Sequence, residues 1–347
     1  MPRYYYWLAL GLLGASLATQ ASEASVSDVL LRPALKVSAP QQAVLIDITR
    51  AGTRLVAVGE QGLILLSDDN GRHWRQAAVP ASVSLTSVSF VSALQGWAAG
   101  HAGVVLHTVD GGERWTLQLD GKQSAQRVLD AVPSGNRQQL NIAQRFVADG
   151  ADKPWLAVHF SNEREGIVVG AFGLILHTSD GGATWQSWVD RLPNPAGNHL
   201  YAIATQGLRI YIVGEQGTIW TSADGGASFI RLSSPYDGSF FALDVSPDGD
   251  VLVAGLKGNV WRSNDQGVHW QAAPNPFNSS VMSARSLGRA GVMLADQSGH
   301  LLLSTPGAAL REQGVSAAVS SFIQAADGQW ITVGARGIQR VEQVNVQ

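Results

Sequence analysis

One pattern recurs so regularly along this 347-residue chain that it fixes the fold class before any single residue is weighed. Five segments align over their whole length: "VAVGEQGLILLSDDNGRHW" from Val56, "WAAGHAGVVLHTVDGGERW" from Trp97, "IVVGAFGLILHTSDGGATW" from Ile167, "YIVGEQGTIWTSADGGASF" from Tyr211 and "LVAGLKGNVWRSNDQGVHW" from Leu252. Looser copies begin at Val292 and Ile331, which makes seven units. Each strong copy reads as two short strands joined by a Gly-x-x-Gly turn, then an acidic, glycine-rich turn ahead of an aromatic residue. Another apolar segment precedes it, such as "LIDI" from Leu45 or "FFALDV" from Phe240, and a further strand begins at the aromatic. Four short strands in a period of about 41 to 44 residues are the signature of a β-propeller blade. The expected fold is all-β: a seven-bladed propeller of four-stranded blades, built as one domain over residues 25–347. Helical spacing is absent from the units, which argues against an α-solenoid.

Two departures from the period carry information. The seventh unit runs to Gln347 soon after its third strand, so "VLLRPALKV", Val29 to Val37, is expected to supply an N-terminal strand that completes the last blade and removes an open edge. The acidic turns fall at Asp69, Asp110, Asp180, Asp224 and Asp265, so the second step is 70 residues where its neighbours are in the low forties. The extra chain lies in 119–155. There Val128, Leu129 and Val132, then Leu140, Ala143 and Val147, recur at helical spacings on either side of Pro133, Ser134 and Gly135. A small helical hairpin is expected to project between blades 2 and 3.

Composition narrows the partners. A net charge of -3 without any basic run gives no electrostatic reason to expect nucleic acid or an anionic membrane. The absence of cysteine removes disulfides, zinc-thiolate sites, thiol catalysis and a lipidated cysteine. The start, residues 1–24, places Arg3 ahead of an apolar run from Trp7 to Leu17 and small residues at Ala18, Ala21 and Ala24, the layout of a secretory signal peptide. The run is shorter than the ~20 residues a bilayer-spanning anchor needs. A periplasmic protein, monomeric on its own, is the expectation.

The acidic turn resembles the Asp-box of bacterial-neuraminidase repeats, Ser-x-Asp-x-Gly-x-Thr-Trp, matched in full by Ser179, Asp180, Gly182, Thr184 and Trp185. The Asp side chain can accept backbone N–H groups of its own turn, glycine supplies positive φ, and the Trp buries its ring while its N–H finds a partner. Asp69, Asp110, Asp180, Asp224 and Asp265, with Trp74, Trp115, Trp185 and Trp270, are therefore expected to be structural. Equivalent turns sit in different blades around the rim, too far apart to share one substrate. The histidines recur with the repeat, His107 with His177 and His73 with His269, and not at metal-ligand spacing, so neither a metal nor a cofactor is expected.

A sialidase would aim several arginines at a substrate carboxylate and place a nucleophile and an acid near the ring axis. The innermost segments instead carry small and apolar residues, with Asp47, Asp244, His159 and Arg285 scattered among them, and "LRP" at Leu31 is a poor match for the sialidase Arg-Ile-Pro motif. Phosphate loops, nucleophile elbows and zinc-protease helices are missing. A glycoside hydrolase, or a lectin using Trp97, Trp220 and Trp261, remains the alternative reading.

"VAVGEQGLILLSDDNGRHW", "GWAAGHAGVVLHTVDGG" from Gly96, and "DKPWLAVHF" ahead of "IVVGAFGLILHTSDGGATW" resemble the photosystem II stability/assembly factor-like propellers. The resemblance spans residues 44 to 275 well and the last two units loosely. It implies a non-enzymatic seven-bladed propeller acting beyond the cytoplasmic membrane as an assembly or accessory factor for membrane protein complexes. Relatives in non-photosynthetic bacteria accompany transporters of the resistance-nodulation-division (RND) type. The family's binding arginines sit in no motif matched here. Loops on a rigid scaffold are favoured binding sites, so the hairpin and its exit "DKPW" are the expected docking surface, with Arg127, Arg145 and Lys153 supplying charge and Trp155 an aromatic anchor. The competing reading has the hairpin merely cover one end of the ring, with Phe146 and Trp155 as ordinary packing.

Overall fold

The computed structural model describes residues 26–341. The expected signal segment, 1–24, lies outside them. Seven antiparallel sheets follow one another in chain order, six of four strands and the last of three. Blade 1, for example, runs through Leu45–Ala51, Arg54–Gly59, Ile64–Ser67 and Arg75–Gln76. The first strand of every blade is innermost, and the innermost strands neighbour one another all the way round, blade 7 meeting blade 1. Second and third strands are almost wholly buried, as near-continuous apolar runs such as "VAV" and "ILL" require when both faces pack against neighbouring blades. The core is accordingly a set of clusters, each shared between adjacent blades.

The N-terminal segment does not complete the last blade. Among the described residues blade 7 consists of Ser321–Gln324, Trp330–Gly334 and Gly337–Val341 alone. Val29 to Val37 instead straps the outside of blades 1 and 2. Helix α1 (Val26–Leu31) puts Leu30 into their shared core, the Ser82 N–H donates to the Val29 carbonyl at 2.9 Å, and the Ala34 N–H donates to the Val79 carbonyl at 3.0 Å. The apolar pair Val29–Leu30 finds Val79, Ala81 and Val83 there, a more apolar seat than a strand edge offers.

Side chains close the ring instead. Asp47 of blade 1 accepts from Ser321 Oγ of blade 7 at 2.8 Å, from Arg285 Nη2 of blade 6 at 3.4 Å and from the Val88 N–H of blade 2 at 3.0 Å. Arg72 pairs with Asp327 at 3.0 Å, and Arg340 reaches the Asn70 carbonyl.

Two faces follow from the strand order. Turns between second and third strands, together with the links from one blade to the next, lie on one face. The acidic turns between third and fourth strands lie on the other. The hairpin falls on the first face, between the fourth strand of blade 2 (Thr116–Leu119) and the first of blade 3 (Trp155–Phe160), as helices α2 (Gly121–Asp130) and α3 (Arg137–Asp149). With α1 these are the three α-helices among the described residues.

Candidate functional site: a groove beside the hairpin

Helix α2 starts at a reciprocal cap. Asp120 accepts the Gln123 N–H at 2.9 Å, and the Gln123 side chain accepts the Asp120 N–H at 3.0 Å. A Cβ on Gly121 would lie 2.7 Å from the Ala151 Cα, so entry and exit of the hairpin meet as closely as glycine permits. Ala125, Val128, Ala143 and Phe146 are buried in the cluster that also holds Trp97, Trp155 and Trp185, which fixes both helices to blades 2 and 3.

On its other side α3 leaves a cavity of about 700 Å³ against the loop 189–197 that follows blade 3. Ile142, Phe146, Val189 and Leu192 are among the apolar walls, and Phe172 closes one end. Phe172 is 50% exposed and Ile142 46%, an apolar surface bordered by Arg145, Asp149, Asp152, Lys153 and Asp190 of the same lining. Phe172 also has φ of 58°, the left-handed region that a bulky side chain adopts only at a cost. The same turn position has positive φ in blades 1, 2, 4 and 5, where Gln61, Ala102, Gln216 and Lys257 occupy it. Thus the turn imposes the strain, while blade 3 alone places an aromatic there.

Of the four residues expected to dock a partner, Arg145 and Lys153 line the groove and Arg127 and Trp155 do not. Arg145 is exposed and lines the groove. Arg127 is exposed on α2, outside the lining. Lys153 is not a free charge: it is buried, pairs with Asp149 at 2.9 Å and with Asp152, and lies 5.3 Å and 5.5 Å from the Phe146 and Phe172 ring centres. Burial pulls its pKa down, the two carboxylates more than offset that, and it ends above the ordinary lysine value. Trp155 is 1% exposed, and its indole N–H donates to the Gly103 carbonyl at 2.9 Å, so it is core and offers no ring to a partner. Sequence reasoning passed over Phe172 and Ile142. The signal for Phe172 was present in the aligned copies, as the one aromatic at an exposed Gly-x-x-Gly turn.

From the groove a chain of rings continues inward. Phe146 lies 6.2 Å from Phe172, Phe172 5.0 Å from His199, His199 6.4 Å from Tyr201, and Tyr201 5.1 Å from Phe241. Tyr201 and Phe241 are the bulged second residues of the innermost strands of blades 4 and 5. Blades 1, 2, 3 and 6 carry the same bulge, at Ile46, Thr86, Leu156 and Met282. A bulge re-aims a side chain, and here all six half-buried residues stand at one level around the channel mouth. The Tyr201 hydroxyl donates to Glu215 at 3.3 Å. Burial and that carboxylate push its pKa up to about 12.

The channel residues considered as catalytic candidates hold blades together instead. Asp47 spends both carboxylate oxygens on the contacts given above and on the Ile48 N–H at 2.8 Å. His159 of blade 3 meets Thr205 of blade 4 at 2.8 Å, and burial pushes its imidazole down to about 4. Arg285 donates to the Ile48 carbonyl at 3.1 Å. Burial raises the Asp244 carboxyl above its ordinary value, and one of its oxygens is buried without a partner. Hydrolysis of a glycoside needs two carboxyl groups facing one bond. Of these two candidate carboxylates, Asp47 has both oxygens hydrogen-bonded, so the pair does not offer that arrangement. Of the lectin suspects, Trp97 and Trp220 are fully buried and Trp261 partly.

On the opposite face the acidic turns repeat one geometry. In blades 1–5 a Ser or Thr hydroxyl donates to the Asp carboxylate two residues on, at 2.7 to 2.9 Å, and accepts the N–H of a glycine four residues on. The carboxylate accepts the N–H four residues beyond itself, from His73, Arg114, Thr184, Ser228 and His269. At Asp180 the Thr184 hydroxyl adds a further bond of 2.6 Å, and these bonds hold the carboxyl down to about 2. The Trp74 and Trp115 N–H groups find carbonyls in their own turns, and that of Trp270 finds Ser233. The Trp185 N–H is buried without a partner, contrary to the expected pattern.

A ring of seven antiparallel sheets, with an apolar groove where its repeat is interrupted, defines a seven-bladed β-propeller as the class. Comparison with known proteins places it further: the model of the family "Photosynthesis system II assembly factor YCF48" matches residues 30–129 and 143–339, and the chain belongs to that family. The unmatched stretch between them is the tip of the hairpin and the first half of α3. Photosystem II assembly protein Ycf48 of Synechococcus sp. (strain JA-3-3Ab) is 27% identical, the match covering 61% of this chain and 95% of that protein. Photosystem II assembly lipoprotein Ycf48 of Synechococcus sp. (strain CC9902) is 29% identical over 29% of this chain, which spans only 32% of that relative's length. A solved structure described as YCF48 bound to D1 peptide superposes with a TM-score of 0.62 at 16% identity, over 90% of this chain and all of that one, a likeness of fold.

Proposed function

We propose that this propeller is a non-enzymatic assembly or accessory factor that holds a polypeptide segment of a membrane protein complex in the groove between α3 and loop 189–197. The observation that carries the reading is the groove itself, an exposed apolar surface built where the repeat is interrupted. Family membership supports it, as does a structural relative bound to a peptide. The layout of residues 1–24 supports export, and we place the protein in the periplasm, acting as a monomer without a cofactor. For a client we favour a transporter of the RND type, on the resemblance set out above.

A photo-crosslinking amino acid at Ile142 tests this in the producing cell. A crosslinked membrane protein is expected, together with loss of the adduct in Phe172→Glu and recovery of the protein in the periplasmic fraction. Crosslinks that survive Phe172→Glu, or none from Ile142, would remove the groove as the docking site. Point substitutions are preferable to excising the hairpin, because Ala125, Val128, Ala143 and Phe146 belong to the core.

A further inference from the structure

Glu215 stands beside the ring chain that leads from the groove to the channel mouth. It accepts the His199 N–H at 2.8 Å and the Tyr201 hydroxyl at 3.3 Å, with the His199 imidazole 3.8 Å away. Among the described residues no lysine or arginine lies within ion-pair distance of it, and its side chain remains 32% exposed. By contrast the buried cation at the other end of the chain, Lys153, already has two carboxylates. The inner end of the chain therefore carries an unmatched negative charge set among half-exposed aromatic faces. Aromatic faces and a carboxylate together favour a cation, through the ring quadrupole and through charge-assisted hydrogen bonds.

The geometry points to one track from Phe172 to Phe241, taking a polypeptide segment whose apolar side chains lie along the rings and whose lysine or arginine meets Glu215. The three ring-to-ring steps of 5.0 to 6.4 Å make a path that about five extended residues would cover. The bulges at Tyr201 and Phe241 turn their rings toward the mouth, where Leu156 and Met282 extend the apolar rim. Glu215 is then the residue that selects among apolar segments, because it rewards a cation and repels an anion. The inference rests on the groove being a client-binding surface, and it adds the chemistry of the client.

Three labelled 12-residue peptides of alternating leucine and alanine, alike except for Lys, Gln or Glu at the centre, test it by fluorescence anisotropy. The protein is expected to bind the Lys peptide about fivefold more tightly than the Gln peptide, as a half-exposed ion pair gives, with the gap narrowing in salt. Glu215→Gln keeps one oxygen to accept the His199 N–H and places an amide N–H that can donate to the Tyr201 hydroxyl oxygen, so it should bind the Lys and Gln peptides alike with unchanged thermal stability. Glu215→Lys should favour the Glu peptide, an inversion that loss of folding cannot produce. A wild-type protein that binds none of the peptides or shows no preference for Lys overturns the inference, as does a preference that survives Glu215→Gln. Should the Ile142 crosslinks persist in that case, the client-binding groove stands and only the cation site falls. Should the crosslinks fail while the Lys preference holds, the reverse is true.

Discussion

Two turns cap opposite ends of the same strand of blade 3, Ile175–Thr178, and they use their side chains in opposite ways. The turn at Asp180 folds its polar groups inward: hydroxyl, carboxylate and backbone N–H satisfy one another. The turn at Phe172 holds an apolar ring out in solvent on a strained backbone. The first arrangement recurs in five blades because it serves the ring. The second occurs once, in the blade beside the hairpin, where the Phe172 ring meets Phe146, Lys153 and His199 and still stays half exposed. Places where the local rule of a repeat is broken are where a function beyond the ring is to be sought.

The largest test of this contrast separates Trp155 from Phe172, aromatics on the same face with opposite exposure. Trp155→Ala should destabilise the fold by about 3–5 kcal/mol in denaturant unfolding, the cost of emptying a large aromatic site. It fills the seam between blade 3 and the hairpin and satisfies the Gly103 carbonyl. A loss below about 1 kcal/mol, the range of surface substitutions, would mean that the hairpin is held some other way.

These two residues also show how far the sequence could be read. Blade number, strand count, the acidic turns and the hairpin limits are all periodic or interrupt a period, so local chemistry reveals them. Whether Trp155 faces the core or solvent depends on how the hairpin folds back over blade 3, and no spacing within "DKPW" encodes that. Lys153 looked like free charge because its partner Asp149 lies on a helix whose path was unknown. The strap at Val29 to Val37 reads as a strand in sequence because an apolar run of that length suits a blade edge or an inter-blade seam equally. The groove wall at 189–197 was invisible, since it comes together with α3 only in three dimensions.

A smaller effect belongs to the closed turn. Asp180→Ala removes the acceptor for the Thr184 N–H and hydroxyl and should cost about 1–2 kcal/mol at neutral pH, as loss of a capping carboxylate does. Because the folded-state pKa, about 2, lies below the ordinary aspartate value, the stabilisation is present above about pH 4 and disappears as the pH falls through about 2. Stability curves of wild type and variant should therefore converge in that window. A gap that stays constant down to pH 2 would show that the charge of Asp180 is not what the turn uses.

The smallest effect reads the strain directly, by comparing Phe172→Gly with Gln61→Gly. Both residues sit at the same turn position with positive φ, 58° and 54°, so glycine relieves the same backbone cost in each. At Gln61 little else is lost, and a gain of about 1 kcal/mol in thermal unfolding is expected. At Phe172 the ring also packs against Phe146 and lies over the Lys153 ammonium, contacts that hold α3 to blade 3. The gain there should shrink toward zero while client crosslinking from Ile142 is lost. Were Phe172→Gly to stabilise the protein as much as Gln61→Gly does, the ring would contribute nothing to the fold, and its place in the turn would be owed to the client alone.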